Sequence, residues 1–247
     1  MAGMKRDKGG AAAAAGLLRT AADLQPEGVR LVAILGFVRN SVGSECYVAD
    51  EVITGHAGKS VLVVNTDAEG RMVMADLLSV ARIGAIAAVT SEGVPADAVN
   101  LHTCATLTGH AVVAVGPYPI ACDNPVAAAR GPHGTARAIQ TAAHHVGDPF
   151  EVSTLRREDF AFVRPKHASY DVLQCNTLPS SRTPRGHQFP MAFLVASSGL
   201  DAHGRDSELP IAYTHLDIAG AASRGDVAAG YETGSPVLGL AAHYLSL

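Results

Sequence analysis

Residues 60–82 constrain the fold more than any other stretch. Ser60-Val61-Leu62-Val63-Val64 runs into Asn65-Thr66-Asp67-Ala68-Glu69-Gly70-Arg71, and apolar residues then recur at helical spacing as Met72, Ala75, Leu78 and Ala81. An unbroken β-branched run leaves no solvent face, so Val61–Val64 predicts a buried strand. The following period predicts an amphipathic helix over 72–83. A polar loop with two carboxylates, a glycine and an arginine therefore sits at the carboxyl end of a buried strand, where open α/β sheets place their ligand crevices. Asp67 and Glu69 are two apart in a non-helical turn and can point into one cavity. Hard divalent cations take such oxygen ligands, and one carboxylate can bridge two metals. Arg71 is out of place beside a cation unless something anionic is held there as well.

Read alone, a D-x-E turn is a pair of solvated acids. The full heptapeptide Asn65–Arg71 is far more specific: it resembles the signature of the leucyl aminopeptidase (cytosol aminopeptidase) family of two-metal exopeptidases. The resemblance extends over almost the whole chain. Ala105-Thr106-Leu107-Thr108-Gly109 matches the family's active-site wall, and His215-Leu216-Asp217-Ile218-Ala219-Gly220 matches a motif near its end. Lys5-Arg6-Asp7-Lys8-Gly9-Gly10 is a close variant of the family's Arg-x-Asp-x-Gly-Gly. Two departures stand out, Arg39 where the family has Glu and Val48-Ala49 where it has Pro-Gly, and they bear on substrate preference. With Asn40-Ser41-Val42-Gly43 they place the chain closest to a probable aminopeptidase-like branch.

The resemblance implies a role for each matching residue. Asp7, Asp67 and Glu69 become metal ligands for two divalent ions, zinc or manganese first, with magnesium or cobalt also compatible. Arg71 becomes the catalytic, proton-shuttling cation, paired with a bound bicarbonate. Ala68, Gly70 and Leu107 line the substrate and anion position. The family's Gly-Lys-Gly…Asp-(Thr/Ser)-Gly-Gly…Ile-Lys segment, with two further ligands and a lysine, has no counterpart in residues 1–247, and neither does its N-terminal domain. The expectation is an N-terminally truncated member. Two functional readings follow: a metallo-aminopeptidase acting on peptides, or a non-catalytic homologue serving as an assembly or regulatory subunit.

The expected fold, on pattern and resemblance together, is one three-layer α/β/α domain over 1–247 with a central mixed, mainly parallel sheet. Further strands are expected at 29–38, 98–103, 111–121 (interrupted by Gly116-Pro117) and 211–217. Helices are expected at 11–24, 125–146 with a break at Gly131-Pro132, 186–200 and 236–245. Residues 85–90 fit either a strand or the helix tail, and 147–185 read as loop. His215 and Asp217 share one strand face. They fit a catalytic pair, but better a buried pair bonded to each other. His102 and His110 read as packing or rim residues, and His133, His144 and His145 as a solvated face.

Charged residues are only 17% of the chain against 48% hydrophobic, with mean hydropathy +0.18. Either apolar surface is buried between subunits, as in the hexamers the resemblance implies, or Ala- and Gly-rich packing accounts for it. A net charge of −4 offers no basis for nucleic acid or an anionic membrane as partner. Cys46, Cys104, Cys122 and Cys175 form no C-x-x-C pair and read as reduced thiols. No signal-peptide pattern and no apolar run of about 18 residues is evident, so the expected location is cytoplasmic and membrane-free.

Overall fold

The computed structural model describes residues 3–39, 43–179, 182–226 and 229–245. Asn40, Ser41 and Val42 of the variant loop lie outside them, as do Ser180 and Ser181. Nine strands and eight α-helices follow in chain order among the described residues. They are α1 (Gly9–Leu24), β1 (Val52–Thr54), β2 (Ser60–Leu62), α2 (Glu69–Thr90), β3 (Asn100–Ala105), α3 (Gly109–Val115), β4 (Ile120–Asp123) and α4 (Pro125–Ala128). Then come α5 (Thr135–His145), β5 (Glu151–Thr154), α6 (Arg157–Ala161), β6 (Val172–Leu173), α7 (Phe189–Ser197), β7 (Ala212–Asp217), β8 (Ser223–Arg224), β9 (Tyr231–Glu232) and α8 (Val237–Tyr244).

The expected mixed, mainly parallel architecture is observed, with its strands divided between two sheets. One has the order β1-β2-β6 and the other β3-β7-β4-β5, beside a small β8-β9 hairpin. In the main sheets β2/β6, β3/β7 and β4/β5 are parallel, and β1/β2 and β4/β7 antiparallel. Helices cover both faces. Alternation along β7 sends Tyr213 into a core with Leu78, Met191, Phe193 and Leu194 from α2 and α7. Leu216 points the other way, into a core with Ile139, Ala143 and Leu240 from α5 and α8. Every residue of β7 is buried, as befits a central strand. Asn124, just after β4, ties it in place: its Oδ1 accepts from Tyr213 N and its Nδ2 donates to the Ile211 carbonyl.

Four expectations are corrected. Residues 29–38 form no strand. The segment has no ladder partner among the described residues and lies against α2 with Gly36 beside Val73 and Leu77. Its Val32, Phe37 and Val38 are exposed by 73%, 65% and 62%. Residues 109–115 are helix α3, not strand, because the Thr108 side chain accepts from Ala111 N as an N-cap and Gly116 ends the turn at positive φ. Residues 147–185 contain β5, α6 and β6 rather than loop alone. Finally, Thr66–Thr90 is long and apolar enough to cross a membrane by length and composition. Its charged residues interrupt a strict run without lowering the average below that threshold. In this fold it contributes Arg71, Ala75, Leu78, Ser79 and Ala85 to the interior.

Candidate active site

The acidic loop begins just beyond β2, after Val63 makes the last backbone bonds to Glu51 and Asp50. Asn65 accepts from Asp67 N through its side chain, opening a short 3-10 turn over Thr66–Ala68, and α2 starts at Glu69. This local hydrogen bond places the two acids on successive turns rather than along one strand. Asp67 is exposed and Glu69 half-buried, and neither carboxylate makes a hydrogen bond or salt bridge among the described residues. The carboxylates are therefore free hard-oxygen donors of the kind divalent cations take.

Arg71, two residues on, is 6% exposed. Its guanidinium donates to the Gln174 carbonyl at 3.1 Å, lies 5.1 Å from the centre of the Phe189 ring and leaves Nε without a partner. Burial pulls its pKa below the usual arginine range; Cys175, Asp217 and Glu69 act against that pull. Tyr47 also belongs to this corner. Its hydroxyl is buried without a partner among the described residues, and burial, with the Glu69 and Cys46 charges behind it, raises its pKa.

The Thr106–Thr108 loop, leaving the carboxyl end of β3, joins the remaining expected residues. Thr106 Oγ1 donates to Asp7 at 2.5 Å. Leu107 Cδ1 lies 3.9 Å from where a Cβ on Gly70 would stand, so this wall and the acidic loop touch. Asp217, 1% exposed at the end of β7, accepts from Thr108 Oγ1 at 2.7 Å, Leu107 N at 3.3 Å, Thr108 N at 3.5 Å and Ala219 N at 3.2 Å. The Leu107 amide is thereby engaged inside the fold, and the Ala68 carbonyl accepts from Gln174 Nε2 at 3.2 Å. At the front of α1, a Cβ on Gly10 would collide with the Cys104 carbonyl, so glycine is required where α1 crosses β3.

Asp7, Ala68, Gly70 and Leu107 thus stand around one strand-end region with the acidic loop. Among the described residues, however, no three His, Cys, Asp or Glu side chains converge as a metal-holding group. Asp7 engages Thr106 instead.

His215 and Asp217 are both buried, as expected, but not bonded to each other. His215 Nδ1 meets Thr103 Oγ1 at 2.7 Å, and Thr103 Oγ1 also meets Tyr213 OH at 2.6 Å. Parallel β3–β7 register puts Thr103 directly beside His215, closer than a residue two positions along the same strand. His102 packs as expected, with Nε2 2.6 Å from Tyr244 OH. His133, His144 and His145 are exposed.

Sequence reading missed Gln174, which is fully buried, and Cys175, which acts against the burial-driven lowering of the Arg71 pKa. The one signal for Gln174 was a polar residue inside an apolar Val-Leu-x-Cys stretch.

These burials carry a pH consequence. His215 is pushed down to about 3 and His102 to about 4, chiefly by burial, while burial pushes Asp217 up to about 6. Between about pH 4 and 6 the unfolded chain carries a proton on each histidine, and the folded chain carries one on Asp217 alone. The unfolded state then holds one more proton, so stability falls on acidification by about 1.4 kcal/mol per pH unit. His187 and His243, lowered by burial, add to this, and Asp123, raised by burial, subtracts. Urea midpoints are expected to drop from pH 7 to pH 5; a midpoint that rises would contradict the assignment.

Residues 1–241 match the cytosol aminopeptidase family, catalytic domain. A Caenorhabditis elegans protein whose name provisionally calls it an aminopeptidase is 42% identical over 220 residues, 89% of this chain and 40% of its own length. A protein named as a probable cytosol aminopeptidase in Exiguobacterium sibiricum is 39% identical over 114 residues, 46% of this chain and 21% of its own. A mutant tomato leucine aminopeptidase has a similar structure, with TM-score 0.73 and 26% identity over 99% of this chain and 41% of that one. The chain thus spans less than half the length of each of these relatives.

Proposed function

The chain belongs to the cytosol aminopeptidase family, and we propose that residues 1–247 form one catalytic domain of a two-metal aminopeptidase that hydrolyses the N-terminal peptide bond of peptides. Arg71 carries this reading. A guanidinium 6% exposed, with an unpartnered Nε and no carboxylate in salt-bridge range among the described residues, is costly to hold. Beside two free carboxylates, such a group is explained by an anionic partner that forms during turnover.

Asp67 and Glu69 fit divalent cations in chemistry, though they fall short of a closed ligand set, and Asp7 is the third carboxylate that the reading recruits. Carboxylate oxygens suit manganese and magnesium by hardness; zinc stands beside manganese as first choice on the family resemblance, with cobalt tolerated. Bound there, the ions supply Lewis acidity to the scissile carbonyl and a lowered pKa to the attacking water. Arg71 offers its unpartnered Nε–H to the developing oxyanion, and by the family resemblance it would help hold a bicarbonate, which would supply a site for the water's proton. Gly70 and Ala68 keep the loop narrow beneath the substrate, and Leu107 walls the cleft beside Gly70. A cytoplasmic homo-oligomer, hexameric by family, is part of the same reading; the exposed apolar segment 29–38 and the low charge content support burial between subunits.

The second reading, a non-catalytic assembly or regulatory homologue, draws on the lack of a third converging ligand among the described residues. Purified chain supplemented with manganese or zinc and assayed on a leucyl chromogenic amide separates the two. Metal-dependent turnover that falls to background in an Asp67→Ala, Glu69→Ala variant is the expected result. Turnover that survives in that variant would place the chemistry elsewhere, and a fully inert wild type would favour the non-catalytic role.

A further inference from the structure

We propose that Gln174 is the positioning residue of the acidic loop, fixing from a distant strand end the backbone that presents Asp67, Glu69 and Arg71. The inference rests on the reading of that loop given above.

Gln174 follows β6, and its backbone N–H donates to the Leu62 carbonyl at 3.0 Å, completing the β2–β6 pairing. Beyond Leu62, Val63 still bonds Glu51 and Asp50 through its backbone, but the Val64 and Asn65 amides have no backbone partner among the described residues. The Gln174 side chain meets that need. Its Oε1 accepts from Val64 N and from Asn65 N, each at 2.9 Å. Its Nε2 donates to the Ala68 carbonyl at 3.2 Å, and its own carbonyl receives Arg71 at 3.1 Å.

One residue therefore grips the loop before Asp67, between Asp67 and Glu69, and at Arg71. The sequence separations of these contacts, 110, 109, 106 and 103, leave no local reason for them. A fully buried neutral amide is expensive unless both its ends are matched, and here both are matched by one loop. An apolar side chain could fill the volume but would strand two amides and a carbonyl. A carboxylate would keep the acceptor and lose the donor to Ala68. Groups that orient cation ligands in this way typically govern affinity by about ten- to a hundredfold when removed.

The test uses the whole chain with Gln174→Met and Gln174→Glu. Amide hydrogen exchange across residues 62–72 reports the loop, and titration with manganese alone reports its ligands. Gln174→Met is expected to speed exchange at Val64 and Asn65 about tenfold and to weaken manganese binding by about tenfold or more. Exchange at Ala121 and Leu216, in the β4–β7 pair, should stay as in wild type. Gln174→Glu is expected to restore protection at Val64 and Asn65, because its oxygens still accept. Unchanged exchange in Gln174→Met overturns the proposal, as does faster exchange spread evenly over the chain. Loop exchange that rises while manganese binds as before reduces Gln174 to a structural staple and also overturns it. If Gln174→Met does not fold, loss of protection in Gln174→Glu at Val64 and Asn65 would refute the acceptor role, and retained protection would support it. A wild type that binds no manganese sinks the metal reading alone, because the exchange pattern still decides whether Gln174 holds the loop.

Discussion

Replacing Arg71 by methionine is expected to cut metal-dependent hydrolysis by about a hundredfold or more while leaving the fold at least as stable as before. The two halves of that result come from one observation. The guanidinium is buried, rests on the Gln174 carbonyl and the Phe189 ring, and has an unpartnered Nε. A cation held this way carries a desolvation cost that a single neutral carbonyl only partly offsets. Methionine fills a similar volume, keeps contact with Phe189 and removes the charge, so thermal or urea unfolding should show no loss. Removing one donor from a developing oxyanion, by contrast, typically costs two to three orders of magnitude in rate, roughly 3–4 kcal/mol. Steady-state kinetics on the leucyl amide and a melting curve check both halves. A variant that unfolds readily would make Arg71 a structural cation. A variant that stays fully active would remove it from the chemistry.

Phe193→Ala is expected to cost about 3–5 kcal/mol of stability, a large share of the roughly 5–15 kcal/mol typical of a domain. Phe193 sits in the middle of α7 with no exposed surface, in the cluster that includes Leu78, Met191, Leu194 and Tyr213. Its neighbours come from a helix and a central strand that cannot easily close on a cavity, so the void term adds to the lost transfer energy. Urea titration with an unchanged slope and a lower midpoint is the expected signature. A loss below about 1 kcal/mol would mean that α7 collapses onto the vacancy, contrary to a well-packed core.

How much of this was legible in advance depended on how local its cause was. The β2–loop–α2 unit announced itself because a β-branched run, a polar loop and a helical period lie within residues 60–82. Phe189, Phe193 and Leu194 lie in the apolar stretch of the expected 186–200 helix and are core. The 109–115 helix did not, because Val112 and Val113 look like strand while the deciding cap is a hydroxyl on Thr108. The apolar 29–38 stretch has strand composition but no neighbour to pair with among the described residues, and composition cannot supply one. His215 and Asp217 were visible as buried, yet their partners, Thr103 and Thr108, stand 112 and 109 residues away and are set by β3–β7 register. Gln174 stood out only as a polar residue in an apolar stretch; its significance lies in what β6 brings alongside β2.

The candidate site also has a mechanical side. The acidic loop grows from the β1-β2-β6 sheet, whereas the Thr106–Thr108 wall and Asp217 grow from the other sheet. No strand ladder among the described residues joins the two sheets, so the spacing between Gly70 and Leu107 is an alignment between two frames. One fastener they share is α2, which carries Gly70 and Arg71 at one end and packs into the same core as Val61 of β2, Leu101 of β3 and Met191 of α7. Side chains on the buried stripe of that helix, Ala75 and Leu78 above all, thereby act as shims. Altering their size would shift one half of the site against the other without touching any group that does chemistry.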